Sequence, residues 1–165
     1  MDVQFETMAE EYAKDVIDIF NYYVENSFAA FPENKIPYEA FAMFQKMTNG
    51  YPAYVLKNSE SEKVIGFCFL KPHNSLSVFH ETAEITYFIA SDAVGNGIGK
   101  KALARLEDDG RKIGIKNMVA CVSSRNERSL AFHRKNGFVD CGRIKNAAKK
   151  NGQVFDEVWL QKIIG

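Results

Sequence analysis

The stretch richest in chemical possibility is built from glycines. Gly95, Gly97 and Gly99 alternate directly before a helical segment, Lys100 to Lys112, whose apolar stripe runs through Ile98, Ala102, Leu103, Leu106 and Ile113. The first turn of a helix has backbone N–H groups without partners and the positive end of the helix dipole. Glycines at that point let bare backbone close on a phosphate. One or two would read as an ordinary tight turn; three in alternation favour a phosphate cradle. Two nucleotide patterns fail here. The P-loop pattern would need a glycine at Val94 and a hydroxyl at Lys101. The dinucleotide fingerprint is met by Gly97, Gly99 and Ala102, but it requires an acidic residue about 20 positions on, and the next strand ends in Ser123 and Ser124.

Few other residues suggest chemistry. Glu84 is a carboxylate inside an otherwise uncharged strand, Thr82 to Ala90, and by pattern alone it reads as a solvated group at the strand's start. Cys68 and Cys121 lie in apolar runs and read as small buried residues rather than nucleophiles. With Cys141 the cysteine count is odd, and the spacing suits neither a disulfide framework nor a zinc site. The histidines are His73, His80 and His133, without the close spacing of metal ligands, so no metal is expected.

A third phosphate pattern is the acetyl-coenzyme A loop, in which Gln or Arg is followed by two spaced glycines. Gly97 and Gly99 fill the glycine positions, with Val94 where Gln or Arg is usual. With the strand before it, the loop VGNGIGKKAL and the later segment SSRNERSLAFHRKNGF, the chain resembles the GNAT superfamily of N-acetyltransferases. More narrowly, AFHRKNGF followed by CGRIKNAAKKNGQVFDEVWLQ resembles the phosphinothricin acetyltransferase branch, and the likeness runs across nearly the whole chain.

The resemblance implies an α/β fold with a mixed sheet of about seven strands flanked by helices. It also implies acetyl-coenzyme A as cofactor, a small-molecule primary amine as acceptor, and a homodimer. Glu84 would be the general base, with Glu81 a weaker competitor, and apolar neighbours would raise its pKa. His133 stands where many members have a Tyr that protonates the departing thiolate. The main chain at Phe88 and Ile89 would hold the pantetheine arm and acetyl carbonyl. Val94, Gly95, Asn96, Gly97, Ile98, Gly99 and Lys100 would surround the pyrophosphate, with charge from Lys100 and Lys101. Asn126, Ser129 and His133 would complete the cofactor site, and Phe31, His73 and Asn74 would face the acceptor with Glu84. The acceptor loops are less basic than the branch pattern. Pro32 and Glu33 follow Phe31, Asn74 replaces a common Arg, and His73 and Val154 replace common Trp residues. An amino-acid derivative of the phosphinothricin or methionine sulfoximine type is the acceptor class implied. The alternative is a non-catalytic acetyl-coenzyme A-binding module or sensor.

The elements that must position these residues read, in order, as strand Val3 to Thr7, helix Ala9 to Asn26, loop Ser27 to Pro37, and a helix from Pro37 to about Met47. Strands Ala53 to Lys57 and Val64 to Lys71 form a hairpin. The central strand and helix follow, then strand Asn117 to Val122 and a helix from Asn126 to Asn136. That helix is capped by Asn126 or by Ser124 with Glu127, and stopped at Asn136-Gly137. Strands Phe138 to Arg143 and Val154 to Gln161 flank the turn KKNG. Helices on both faces of a mixed sheet follow from this order.

At 165 residues the chain reads as one domain, 1–165. Its 21 basic and 21 acidic residues balance, so nothing points to nucleic acid or an anionic membrane as partner. No apolar run reaches membrane-spanning length, and the acidic start MDVQFETMAEEY is unlike a signal peptide, which makes the cytoplasm the expected location.

Overall fold

The alternation read along Thr82 to Ala90 belongs to the middle of a seven-stranded sheet with strand order β1-β2-β3-β4-β5-β7-β6. A computed structural model describes residues 1–165. The strands are β1 Val3–Thr7, β2 Ala53–Asn58, β3 Val64–Pro72, β4 Thr82–Ile89, β5 Asn117–Ser123, β6 Val139–Lys150 and β7 Gln153–Ile163. The α-helices are α1 Ala13–Asn26, α2 Phe41–Met47, α3 Ile98–Lys112 and α4 Glu127–Lys135. All neighbouring strands are antiparallel except β4 and β5. A parallel pair needs a crossover, and the glycine turn with α3 provides it.

Period-2 alternation sorts the central strands onto two cores. Leu56, Cys68, Leu70 and Ile85 face Ile98, Ala102 and Leu106 of α3 and Leu130 of α4. Val55, Phe67 and Phe69 face Val16 and Ile17 of α1 and Phe41 of α2. Helices therefore cover both faces, as the element order requires.

The departures from expectation lie at element ends. A 3-10 turn at Glu10–Tyr12 precedes α1, which begins at Ala13 rather than Ala9. Pro37 leads into a second 3-10 turn, Tyr38–Ala40, and α2 starts only at Phe41. Ile113 is not on the buried stripe; α3 stops at Lys112 because Gly114 turns left-handed at φ +90°, and Ile113 is 48% exposed. The largest difference is β6, which continues from Arg143 to Lys150. Its outward face and register shifts near Asp140–Gly142 and Ile144–Ala148 erase the alternation that would reveal a strand. The hairpin closes at Asn151-Gly152, both at positive φ (+50° and +80°), the geometry of a two-residue turn matched to strand twist.

One feature of the sheet matters most for the site. β4 and β5 pair only at Thr82–Asn117, Ala83–Met118 and Glu84–Val119. Beyond Glu84 they part, and a cleft opens between them. Ala90 donates its N–H to the Ile65 carbonyl at 2.8 Å in the β3–β4 register. Antiparallel alternation then turns the backbone groups of Ile89 and Tyr87 away from β3, into the cleft.

Candidate active site

A cavity of about 800 Å³ follows that cleft. It is walled by α1, the loop after α1, β3, β4, the glycine turn, β5, α4 and β7.

At one end is the glycine turn. Gly95 and Gly97 sit at φ +91° and +72°, where a side chain is strained, and nothing lies within 4 Å of where their Cβ atoms would be. Gly97 is the residue before α3 and no side chain caps the helix. The first amide to find a helical acceptor is that of Lys101, on the Gly97 carbonyl at 3.2 Å; those of Ile98, Gly99 and Lys100 have none in the protein. Gly99 is not so constrained: it has no left-handed φ, and a Cβ there would meet the Phe132 ring at 3.4 Å, an ordinary contact. Of the turn residues expected at a pyrophosphate, Val94, Gly95, Gly97, Ile98 and Gly99 line the cavity, whereas Asn96 and Lys100 do not. Asn96 instead donates to the Ala93 carbonyl at 2.9 Å. Lys101 is drawn off to the Met1 carbonyl at 3.2 Å. The cation in the wall is Arg128, in the first turn of α4, which the sequence reading passed over. Bare amides and left-handed glycines with open space beside them suit a pyrophosphate, and the Arg128 guanidinium adds positive charge to the same cavity.

Between the ends lie Phe88, Ile89, Asn126, Ser129 and His133. Asn126 is the N-cap of α4, its Oδ1 accepting from the Ser129 amide at 3.2 Å. Ser124 is not the cap; its hydroxyl accepts from the Asp156 amide at 2.8 Å. Tyr23 of α1 donates to the Ile89 carbonyl. His133 is buried, and burial lowers its pKa despite the opposing Ser129 carbonyl. Its Nδ1 is 2.7 Å from that carbonyl, which can only accept, so Nδ1 carries the proton. Nε2 then accepts from the Tyr87 hydroxyl at 2.5 Å. Burial pushes the Tyr87 pKa up. Both hydrogens of the pair are engaged, Nδ1–H on the Ser129 carbonyl and the Tyr87 hydroxyl on Nε2, and Tyr87 is a partner no sequence spacing announces.

At the other end is Glu84. Its expected apolar surround is not what the fold supplies. His73 Nδ1 lies 3.0 Å from Oε2 and Lys71 Nζ 3.8 Å from Oε1, because Lys71 is its register partner on β3. The His73 ring is also edge-on to Phe79 and Trp159 at 6.0 Å. Asn74 does not join them. It is exposed, and its Oδ1 accepts from the Leu76 amide at 2.9 Å, shaping its own loop. Phe31 lines the cavity mouth, stacked on Phe155 of β7 at 5.7 Å.

The loop carrying Phe31 is held from three sides. Lys150 is buried, and its Nζ donates to the carbonyls of Val24, Ser27 and Ala30 at 2.7, 2.8 and 2.7 Å. Burial pulls its pKa down, opposed by the Glu33 carboxylate. Glu33 accepts from the Asn151 amide at 3.0 Å, and Asn21 exchanges two 2.9 Å hydrogen bonds with Ile36.

β7 adds two residues that the sequence reading missed, Glu157 and Trp159, joined by a 2.8 Å hydrogen bond from the indole N–H. The signal was available: Glu157, like Glu84, is a carboxylate inside a largely apolar strand. Cys121 lies beside them. Burial first, then the Glu157 charge, pushes its thiol up to about 12, so it stays protonated and is no nucleophile. Cys68 is fully buried, as its apolar run implies.

Comparison with known proteins agrees with this geometry. The profile of the acetyltransferase (GNAT) family matches residues 16–138. An L-amino acid N-acyltransferase of Escherichia coli is 30% identical over 98% of this chain and 92% of its own length. An L-methionine sulfoximine/L-methionine sulfone acetyltransferase of Pseudomonas paraeruginosa is 28% identical over 88% of this chain and 86% of its own. Among solved structures, a GNAT superfamily phosphinothricin acetyltransferase from Sinorhizobium meliloti, in complex with AcCoA, superposes with a TM-score of 0.92. It is 26% identical, and the match covers 100% of this chain and 90% of that one.

Proposed function

This chain belongs to the acetyltransferase (GNAT) family, and on that premise we propose that it moves an acetyl group from acetyl-coenzyme A to the primary amine of a small, amino-acid-like molecule. The observation that carries the reading is continuity. One cavity runs from the bare amides of Ile98 and Gly99, past the free N–H of Ile89, to the Glu84 carboxylate.

Acetyl-coenzyme A would supply an activated acyl group as a thioester. The turn from Gly95 to Gly99 holds its pyrophosphate through backbone N–H groups, with Arg128 adding charge. The Ile89 N–H points into the cleft to orient the pantetheine arm and polarise the carbonyl. Glu84 takes the proton of the attacking amine, directly or through a water, and the His73 N–H holds the carboxylate in place. For the departing thiolate the proton donor in this part of the wall is the Tyr87 hydroxyl, which must turn from His133 Nε2 toward the sulfur to give up its hydrogen and then takes one back from solvent. The amino-acid-like acceptor is supported by the relatives' activities, and a homodimer by the branch resemblance.

The test is release of free thiol with an amine panel that includes methionine sulfoximine and phosphinothricin. Glu84→Gln is expected to lower kcat by about 10²–10⁴ while cofactor affinity stays the same. Unchanged turnover would remove Glu84 as the base. A second reading, a coenzyme A-binding sensor without catalysis, draws on the engagement of Glu84 by both His73 and Lys71. It predicts cofactor binding by calorimetry with no acetylation of any amine.

A further inference from the structure

The two carboxylates in the cavity wall are not equivalent. Glu84 has the Lys71 ammonium 3.8 Å from Oε1 and the His73 Nδ1 3.0 Å from Oε2. Glu157 has no Lys, Arg or His nitrogen within ion-pair distance; its hydrogen-bond partner is the neutral donor Trp159 Nε1, at 2.8 Å. It is half-buried. Neutral donors can orient a carboxylate, but they leave its charge uncompensated in a partly desolvated wall, where a cation gains most.

Register puts both carboxylates on one face. Glu84 pairs with Val119 of β5, while Cys121 and Ser123 of β5 pair with Trp159 and Glu157 of β7. Residues 119, 121 and 123 share a face, so Glu84, Cys121, Trp159 and Glu157 share it too. Two strand spacings and four residues separate the carboxylate backbones, or roughly 16 Å, and side chains reaching toward Cys121 shorten this to on the order of 10 Å. Cys121, between them, feels the charge of both and, opposing them, that of Lys71. Trp159 and Phe31 add aromatic faces along the way, which suit a cation.

We propose that Glu157 is a specificity-determining residue that selects acceptors bearing a second cationic group several methylenes from the amine that is acetylated, as in a linear diamine or a basic amino acid. This rests on the acetyl-transfer reading and narrows its acceptor. An amine whose far end is neutral leaves Glu157 unpaired, and one whose far end is anionic meets repulsion.

The experiment compares 1,5-diaminopentane, pentylamine and 5-aminopentanoate. These share a reactive amine and a chain length, and differ in the charge at the far end. The expected kcat/KM falls in that order, with the diamine favoured over the monoamine by about tenfold or more. Glu157→Gln should bring that ratio close to unity, Glu157→Asp should restore part of it, and acetyl-coenzyme A affinity should be the same in all three proteins. An equal diamine-to-monoamine ratio in the wild type and Glu157→Gln overturns the proposal. Calorimetric titration of the diamine into coenzyme A-loaded protein gives a readout independent of turnover. Diamine binding that is no tighter than pentylamine binding, or that survives Glu157→Gln unchanged, also overturns it. Failure of acetyl-coenzyme A itself to bind would instead overturn the acetyl-transfer reading.

Discussion

The two ends of the cavity are made by different means. The glycine turn is main chain almost throughout: left-handed glycines, unpartnered amides and one local side-chain hydrogen bond from Asn96. The loop after α1 is held by side chains from far away: Lys150 from the β6–β7 hairpin, Asn21 from α1, and Phe155 from β7 beneath Phe31. A site made of backbone reads the part of a ligand that does not vary, because a peptide amide cannot be altered by substitution. A site made of distant side chains can be retuned one residue at a time. On the proposed function, the first end would take the invariant cofactor and the second would set acceptor choice.

Substitutions can test this division. The largest effect is expected from Gly97→Val. A β-branched residue at φ +72° is strained by roughly 1–3 kcal/mol, and its side chain fills the open space beside the turn. Acetyl-coenzyme A affinity, followed by calorimetry, should fall by ~30-fold or more. Acceptor KM measured at saturating cofactor should stay within about twofold of wild type. An equal loss at both ends would break the division.

The reciprocal substitution is Lys150→Met, which preserves much of the length but removes the donors. The Val24, Ser27 and Ala30 carbonyls would lose a shared partner, at roughly 1–3 kcal/mol for each group left unsatisfied. Acceptor KM should rise about tenfold while cofactor affinity holds. At ~2–4 °C per kcal/mol for a domain of this size, thermal denaturation should move down by about 6 °C or more. If cofactor affinity drops in step with acceptor KM, the loop and the turn are one unit.

The smallest effect concerns pH. Burial holds the His133 pKa below its ordinary value, so the folded protein prefers the neutral ring. The stabilisation from that neutral, doubly bonded imidazole is fully present above the unfolded value. It is lost as pH falls through the folded one, because the unfolded chain then binds the extra proton. Melting temperature followed downward from pH 7 should drop by about 1–2 °C more in the wild type than in His133→Gln. Parallel curves would show that the ring contributes no linkage.

What could be read from the sequence divides along the same line. Gly95, Gly97 and Gly99 before α3 mark the phosphate turn, and Asn126 marks the start of α4, because both depend on residues a few positions apart. The strands around Glu84 are visible for the same reason, and its proposed role as base comes from resemblance, not from pattern. Lys150 could not be placed, because its three acceptors lie 120 to 126 residues away. The outer half of β6 escaped because it faces solvent and is broken by register shifts, so no buried face imposes alternation. The Tyr87–His133 contact arises from the packing of β4 on α4, and neither residue's spacing records it.

β7 follows β6 in sequence yet lies between β5 and β6 in the sheet. Every other piece of the cavity wall leaves the ribosome before it. Until Gln153–Ile163 emerges, the far side of β5 is an open edge, and Phe31 has no Phe155 to rest on. Residues near Asn117 pair with residues near Ile163, so this closure comes through long-range contacts that form slowly. During synthesis, then, a nascent chain would have the phosphate turn in sequence well before it could have an acceptor pocket, and the open β5 edge would be its point of exposure to misassembly.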